Sequence, residues 1–174
     1  TKILVMIPAA GSVHNNNCVR SYYYNDIESS VNNYYNMGDM FVYDSSLKLL
    51  DFREMEPLRF NNTSQEDIDR YNEEFDYCFL RGSNYIHPNM DWGNAIPILK
   101  KLKIPIIPFG IGAQAPDSGE LLLSEDTIEV LRIIADSCES MGVRGEYTAE
   151  LLSKLGIKNV DVIGCPTLYR NNNP

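Results

Sequence analysis

The residues with chemical potential sit where apolar runs stop. The run Asp76 to Leu80 breaks off into Arg81, Gly82, Ser83, Asn84 and Tyr85. "IPIIPFGIGAQ" closes on Gly110, Gly112 and Gln114, and "SMGVRG" sets Arg144 between a short apolar run and a helical pattern. Two further runs end on Ala9, Ala10, Gly11 and Ser12, and on Gly164, Cys165, Pro166 and Thr167. Asn36, Gly38 and Asp39 form another small polar group. Small residues let a ligand approach the backbone and leave amides to bind it. An arginine between a buried strand and a helix N-terminus suits a carboxylate or phosphate.

Each feature also has an ordinary reading. Glycines after strands are common turn residues. "GIG" lacks the third glycine of a dinucleotide fingerprint and leads into Ala-Gln-Ala-Pro rather than a helix. Asp39 stands where a helix cap would, and Arg144 suits an ion pair with a surface carboxylate. His14 and His87 read as solvated loop residues rather than catalytic groups.

The elements that must position these residues alternate. "KILVMIPAAG" reads as a first buried strand, followed by a long polar stretch, Ser12 to Asn36, with some helix. Met40, Tyr43, Leu47 and Leu50 predict a helix from about Met40 to Leu50, with Asp39 as its cap. "DFREMEPLRF" holds an irregular strand. Ser64 and Asp67 have the capping-box spacing at the start of a polar helix. A strand over Asp76–Leu80, a helix over "NAIPILKKLK" and the "IPIIPFGIG" strand come next. "SEDTIEVLRIIADSCE" is strongly amphipathic, with Ile128, Leu131, Ile134, Ala135 and Cys138 on one face. A short strand, a helix stopped by Gly156, the strand "NVDVIGCP" and a polar tail complete the chain. Continuously apolar strands alternating with helices predict an α/β fold: a doubly wound, mostly parallel, Rossmann-like sheet with helices on both faces. Ligands of such sheets bind outside the carboxyl ends of the strands, where these polar exits fall.

Composition narrows the partners. The chain has 174 residues, suited to a single domain over 1–174, and is 44% hydrophobic. Its 24 acidic and 15 basic residues give a net charge of −9, without the basic cluster expected of a nucleic-acid binder. Cys18, Cys78, Cys138 and Cys165 form no C-x-x-C pair, so no metal site is expected. The reading is of reduced thiols in a cytoplasmic protein. No run approaches the roughly 18 apolar residues that span a bilayer.

In this order, the segments resemble the polysaccharide pyruvyl transferase family. Asn36-Met37-Gly38-Asp39 is similar to the family's N-x-G-D element, which opens its first helix. "YCFLRGSNY" resembles its strand-to-glycine turn, with Ser83-Asn84 where many members carry more glycine. "IPIIPFGIGAQ" resembles its second glycine strand. "GVRGEYTAELLSKLGI" is similar to its arginine-bearing strand and following helix, and "NVDVIGCPTLY" to the stretch leading out of the first domain. The family resembles GT-B glycosyltransferases in having two facing Rossmann-like domains. The resemblance implies that this chain is the first half, with residues 164–174 a linker toward a second domain it lacks. That second half carries the family's catalytic histidine and further basic contacts. The segment before Asn36 is longer than the family's compact glycine-rich loop.

The resemblance implies transfer of pyruvate from phosphoenolpyruvate to a sugar hydroxyl or vicinal pair of a cell-surface or exopolysaccharide precursor. Phosphoenolpyruvate is then a substrate and no cofactor is expected. Arg144 is the implied donor contact. Asn36, Gly38, Asp39, Gly82, Ser83, Asn84, Tyr85, Gly110, Gly112 and Gln114 are the implied acceptor contacts, with Tyr85 as a sugar-stacking wall. No catalytic acid or base is apparent. The implied partners are phosphoenolpyruvate and a glycan or lipid-linked sugar, with peripheral association at a membrane-bound acceptor. Two other readings remain: half of a nucleotide-sugar glycosyltransferase of GT-B type, and a non-catalytic glycan-binding module.

Overall fold

The computed structural model describes residues 1–6, 37–58, 60 and 63–171. The first strand's exit, the polar stretch up to Asn36, His14 and Cys18 lie outside these. The elements in order are β1 (Lys2–Met6), α1 (Met37–Leu47), β2 (Glu54–Pro57), α2 (Gln65–Glu74) and β3 (Tyr77–Arg81). A 3-10 turn, Gly93–Ala95, leads into the single-turn α3 (Ile96–Leu99). Then come β4 (Ile106–Ile111), α4 (Glu125–Asp136), β5 (Met141–Val143), α5 (Glu146–Lys154), β6 (Val160–Val162) and a 3-10 turn, Pro166–Tyr169.

The strands form one parallel sheet in the order β2-β1-β3-β4-β5-β6. This is the expected Rossmann-like α/β sheet. The direction of winding reverses between β1 and β3, which makes the carboxyl ends of those strands the switch point. Reversal also sorts the helices by face. Leu4, Met6, Cys78 and Leu80 point into the larger core, shared with Ile68 and Tyr71 of α2, Ile98 and Leu99 of α3, Leu131 and Ile134 of α4, and Leu152 of α5. Alternation along β1 sends Ile3 and Val5 the other way, against Tyr43 and Leu47 of α1.

Three local expectations need correction. α1 starts at Met37, so Asp39 lies in its first turn and not at the cap position. It ends at Leu47 because the bonds tighten there: Leu49 N–H donates to the Ser46 carbonyl at 3.2 Å. Leu50 still packs on the α1-side core from the turn beyond the helix, which is why its spacing matches a helical one. The helix expected over "NAIPILKKLK" shrinks to a 3-10 turn and one α turn, because the chain must be extended again by Ile106. The polar tail is docked as far as Arg170. Pro166–Tyr169 crosses the α1 side of the sheet, with the Tyr169 ring 6.4 Å from that of Phe109. Arg170 then reaches α1, where it pairs with Asp44, donates to Ser45 Oγ at 3.1 Å and lies over the Phe41 ring.

The capping box of α2 is present as its spacing predicts. Asp67 N–H donates to Ser64 Oγ at 3.1 Å, and Ser64 N–H donates to Asp67 Oδ2 at 2.8 Å. Ser64→Ala should therefore destabilise the protein by about 1 kcal/mol, lowering Tm by about 2–4 °C in a thermal melt. Edge strand β2 is held to α2 through Glu56, which accepts two bonds from Arg70 at 3.0 and 2.7 Å. The Arg70 guanidinium holds the Glu56 carboxyl below its ordinary pKa.

Candidate functional site

The carboxyl edge is assembled by two strand exits running side by side. Gly112 N–H donates to the Ser83 carbonyl at 2.9 Å, Ile86 N–H to the Gly112 carbonyl at 3.1 Å, and Gln114 N–H to the Ile86 carbonyl at 2.9 Å. Parallel pairing thus continues past the ends of β3 and β4 as a bridge between Ile86 and Ala113. Chains this close leave no room for a side chain at Gly82. A Cβ on Gly82 would sit 2.7 Å from the Phe109 carbonyl oxygen and 2.8 Å from the Gly110 carbonyl carbon. Glycine at 82 therefore serves close approach of backbone to backbone, in place of the ligand approach expected from sequence.

Gly110 does a second job. Its φ is +73°, a left-handed conformation that glycine adopts readily. Here the register of β4 against β5 shifts: Phe109 pairs with Gly142 and Ile111 with Val143, two steps on one strand against one on the other. This is a β-bulge, and it re-aims the side chains beyond it. Ile111 turns into the larger core, and the Gly110 carbonyl accepts a bond from Arg144 Nε at 2.9 Å. The flank of Gly110 is filled by Pro166, whose Cδ lies 2.6 Å from where a Cβ would stand.

Arg144 is the centre of the arrangement. Its own N–H donates to the Ile111 carbonyl at 2.8 Å, fixing the start of its side chain. Nε is anchored on Gly110 and Nη1 donates to Asn84 Oδ1 at 3.3 Å. Asn84 is held in turn by Gln114, whose Nε2 donates to the Asn84 carbonyl at 2.8 Å. Gly112 lies under this group, with Arg144 Cδ 3.2 Å from the position of a Cβ. Nη2 of Arg144 has no partner among the described residues, and the side chain is half-buried. A guanidinium fixed along one edge with N–H groups left over is ready for a bidentate anion. Directly beyond it, Gly145 stands at the N-cap of α5 and supplies no side-chain cap, so the first-turn amides add positive character at the same place.

The sequence-predicted residues thus divide. Asn84, Gln114 and Arg144 come together, and Gly82, Ser83, Gly110 and Gly112 form the backbone beneath them. Tyr85 does not face this edge. It is 1% exposed, its ring lies 5.0 Å from Trp92, and its hydroxyl donates to the Arg81 carbonyl at 3.2 Å. The stacking wall expected at Tyr85 is a core contact. Arg81 is wholly buried and donates to the Gly82 carbonyl at 3.1 Å. His87 is also buried, with Nδ1 accepting from Asn89 N–H at 3.1 Å. Burial pushes its pKa down, so it is not the solvated loop residue expected from sequence. Gly38 is exposed in the first turn of α1, whose N-terminus topology directs toward the carboxyl edge. Asn36 and the side chain of Asp39 lie outside the description.

Sequence reasoning missed Thr148. This buried residue accepts from Ala113 N–H at 3.0 Å and ties α5 to the β4 exit. Its only signal was a hydroxyl on the inner side of a helix's first turn. Among the described residues, no group of three or more His, Cys, Asp or Glu side chains is placed to hold a metal. None of their helices is long and apolar enough to cross a membrane.

Fold and edge together define a Rossmann-like α/β domain that presents one anchored guanidinium and two carboxamides at the carboxyl end of its sheet. Residues 16–174 match the family model for polysaccharide pyruvyl transferase, and the chain belongs to that family. No curated protein and no solved structure matches it.

Proposed function

We propose that this protein transfers the pyruvyl group of phosphoenolpyruvate to hydroxyl groups of a glycan, a precursor of a cell-surface or exported polysaccharide. The observation that carries the reading is the anchored, half-open fork of Arg144 beside an uncapped helix N-terminus, in a chain of this family. The donor's carboxylate and phosphate are the anions such a fork recognises. Asn84 and Gln114 are exposed amides suited to sugar hydroxyls.

The reaction needs a proton delivered to the donor's methylene carbon, which leaves an oxocarbenium-like centre at C2. A sugar hydroxyl attacks C2 and gives its proton to a base. Phosphate departs from C2, and a second hydroxyl of the same sugar closes the ketal. One phosphoenolpyruvate and one diol thus yield one ketal and one phosphate. Arg144 has the role of holding the donor and stabilising the departing phosphate. We place the reaction in the cytoplasm, where phosphoenolpyruvate is made, with the acceptor free or presented on a lipid at the membrane surface.

Calorimetry separates this reading from a nucleotide-sugar glycosyltransferase. Phosphoenolpyruvate should bind and a panel of nucleotide-sugars should not. Binding of a nucleotide-sugar without phosphoenolpyruvate would sink the proposal.

A further inference from the structure

Between α5 and residues 119–121 lies a cleft of about 290 Å³ that none of the contacts above uses. That volume is just under the roughly 300–1,000 Å³ typical of small-molecule sites. Its lining combines Leu121, Leu151 and the ring of Tyr147 with Glu120, Glu150 and Lys154.

Both walls of the cleft connect to the site along the chain. One wall belongs to the segment that runs on from Gln114. The other is α5, which starts directly after Arg144 and Gly145. The bond from Ala113 N–H to Thr148 Oγ1 ties the first turn of α5 to the chain just before Gln114. Tyr147, three residues past Arg144, is the lining residue nearest to it in sequence.

The lining selects the ligand class. Tyr147 is 42% exposed, so an aromatic face is available to the C–H face of a pyranose. Glu120 and Glu150 accept from hydroxyls and Lys154 donates to them. None of these three takes part in an ion pair among the described residues. Two carboxylates disfavour a polyanion, and three charged groups disfavour an acyl chain.

We propose that this cleft is a second carbohydrate subsite, holding the sugar units that flank the reacting unit of a chain acceptor. The proposal rests on the glycan-acceptor reading above and extends it from one sugar to a short chain.

The test uses gluco-, galacto- and manno-oligosaccharides of one to four units, with binding to the purified protein measured by calorimetry and saturation-transfer NMR. In at least one series, affinity should rise tenfold or more from monosaccharide to tetrasaccharide. Tyr147→Ala should remove that gain, Tyr147→Phe should keep it, and Glu150→Ala should reduce it. Tyr147 is partly exposed, so an unchanged melting curve confirms that the variants fold. Affinity independent of length, or a length gain that survives Tyr147→Ala, overturns the subsite and leaves the acceptor reading standing. If no saccharide of any series binds, both fall.

Discussion

Gly82→Ala is expected to destabilise the protein by about 2 kcal/mol or more, with a loss of roughly 4–8 °C in Tm. Two effects oppose each other at this position. The φ of Gly82 is not in the left-handed range, so alanine fits the backbone conformation and gains about 0.4–1 kcal/mol by restricting the unfolded chain. Against this, the new methyl meets the carbonyls of Phe109 and Gly110, which are backbone atoms of the neighbouring strand. No side chain can rotate away, so the β3 and β4 exits must separate. Overpacking of that kind costs about 1–3 kcal/mol, more where the obstacle is rigid. The steric effect wins. Gly145→Ala is the steric control, since a Cβ there meets nothing within 4 Å and its cost is limited to the N-cap preference for glycine over alanine, about 1 kcal/mol or less. Thermal melts of the two variants decide the matter, and equal losses would refute the argument. Separation of the exits should also displace Asn84, so any phosphoenolpyruvate binding should weaken along with stability.

Arg144→Ala is expected to weaken phosphoenolpyruvate binding about a hundredfold, the effect of truncating a charge-assisted, bidentate contact of about 3 kcal/mol. Arg144→Lys should recover only a small part. Lysine keeps the charge but has no Nε to anchor on the Gly110 carbonyl and no planar fork to share between Asn84 and a ligand. A purely structural role would leave donor affinity unchanged wherever the variant still folds. Calorimetry with phosphoenolpyruvate on folded Arg144→Ala and Arg144→Lys distinguishes the two. Unchanged affinity in both removes Arg144 from donor binding.

The sequence made the sheet legible because the central strands β1, β3 and β4 are largely apolar runs and α2 and α4 are amphipathic, whereas the polar strands β2 and β6 carry no such run. Local signals also worked where they are truly local, as at Ser64 and Asp67. It was less informative about why particular residues stand at the strand exits. Gly82 and Gly110 carry the same letter, yet one permits two backbones to touch and the other makes a bulge. Only the register of β4 against its neighbours separates those roles. Tyr85 and His87 looked solvent-facing because their sequence neighbours are polar. Their burial depends on Trp92 and on the Ile86–Ala113 bridge, partners that no periodicity announces. Arg144 was legible as a candidate because a charge between a buried strand and a helix start is unusual. The Gly110 and Asn84 anchors that orient it, 34 and 60 residues away in sequence, were not.

The docking of Arg170 on α1 joins positions 125 residues apart. During synthesis, α1 leaves the ribosome long before that partner exists, and Phe41 and Asp44 must wait for it. Closing so distant a contact requires the intervening strands to be ordered first. The segment from Pro166 to Arg170 should therefore be among the last parts to settle, and a nascent chain halted before it would leave the Phe41 ring, 48% exposed even with Arg170 docked, without that cover.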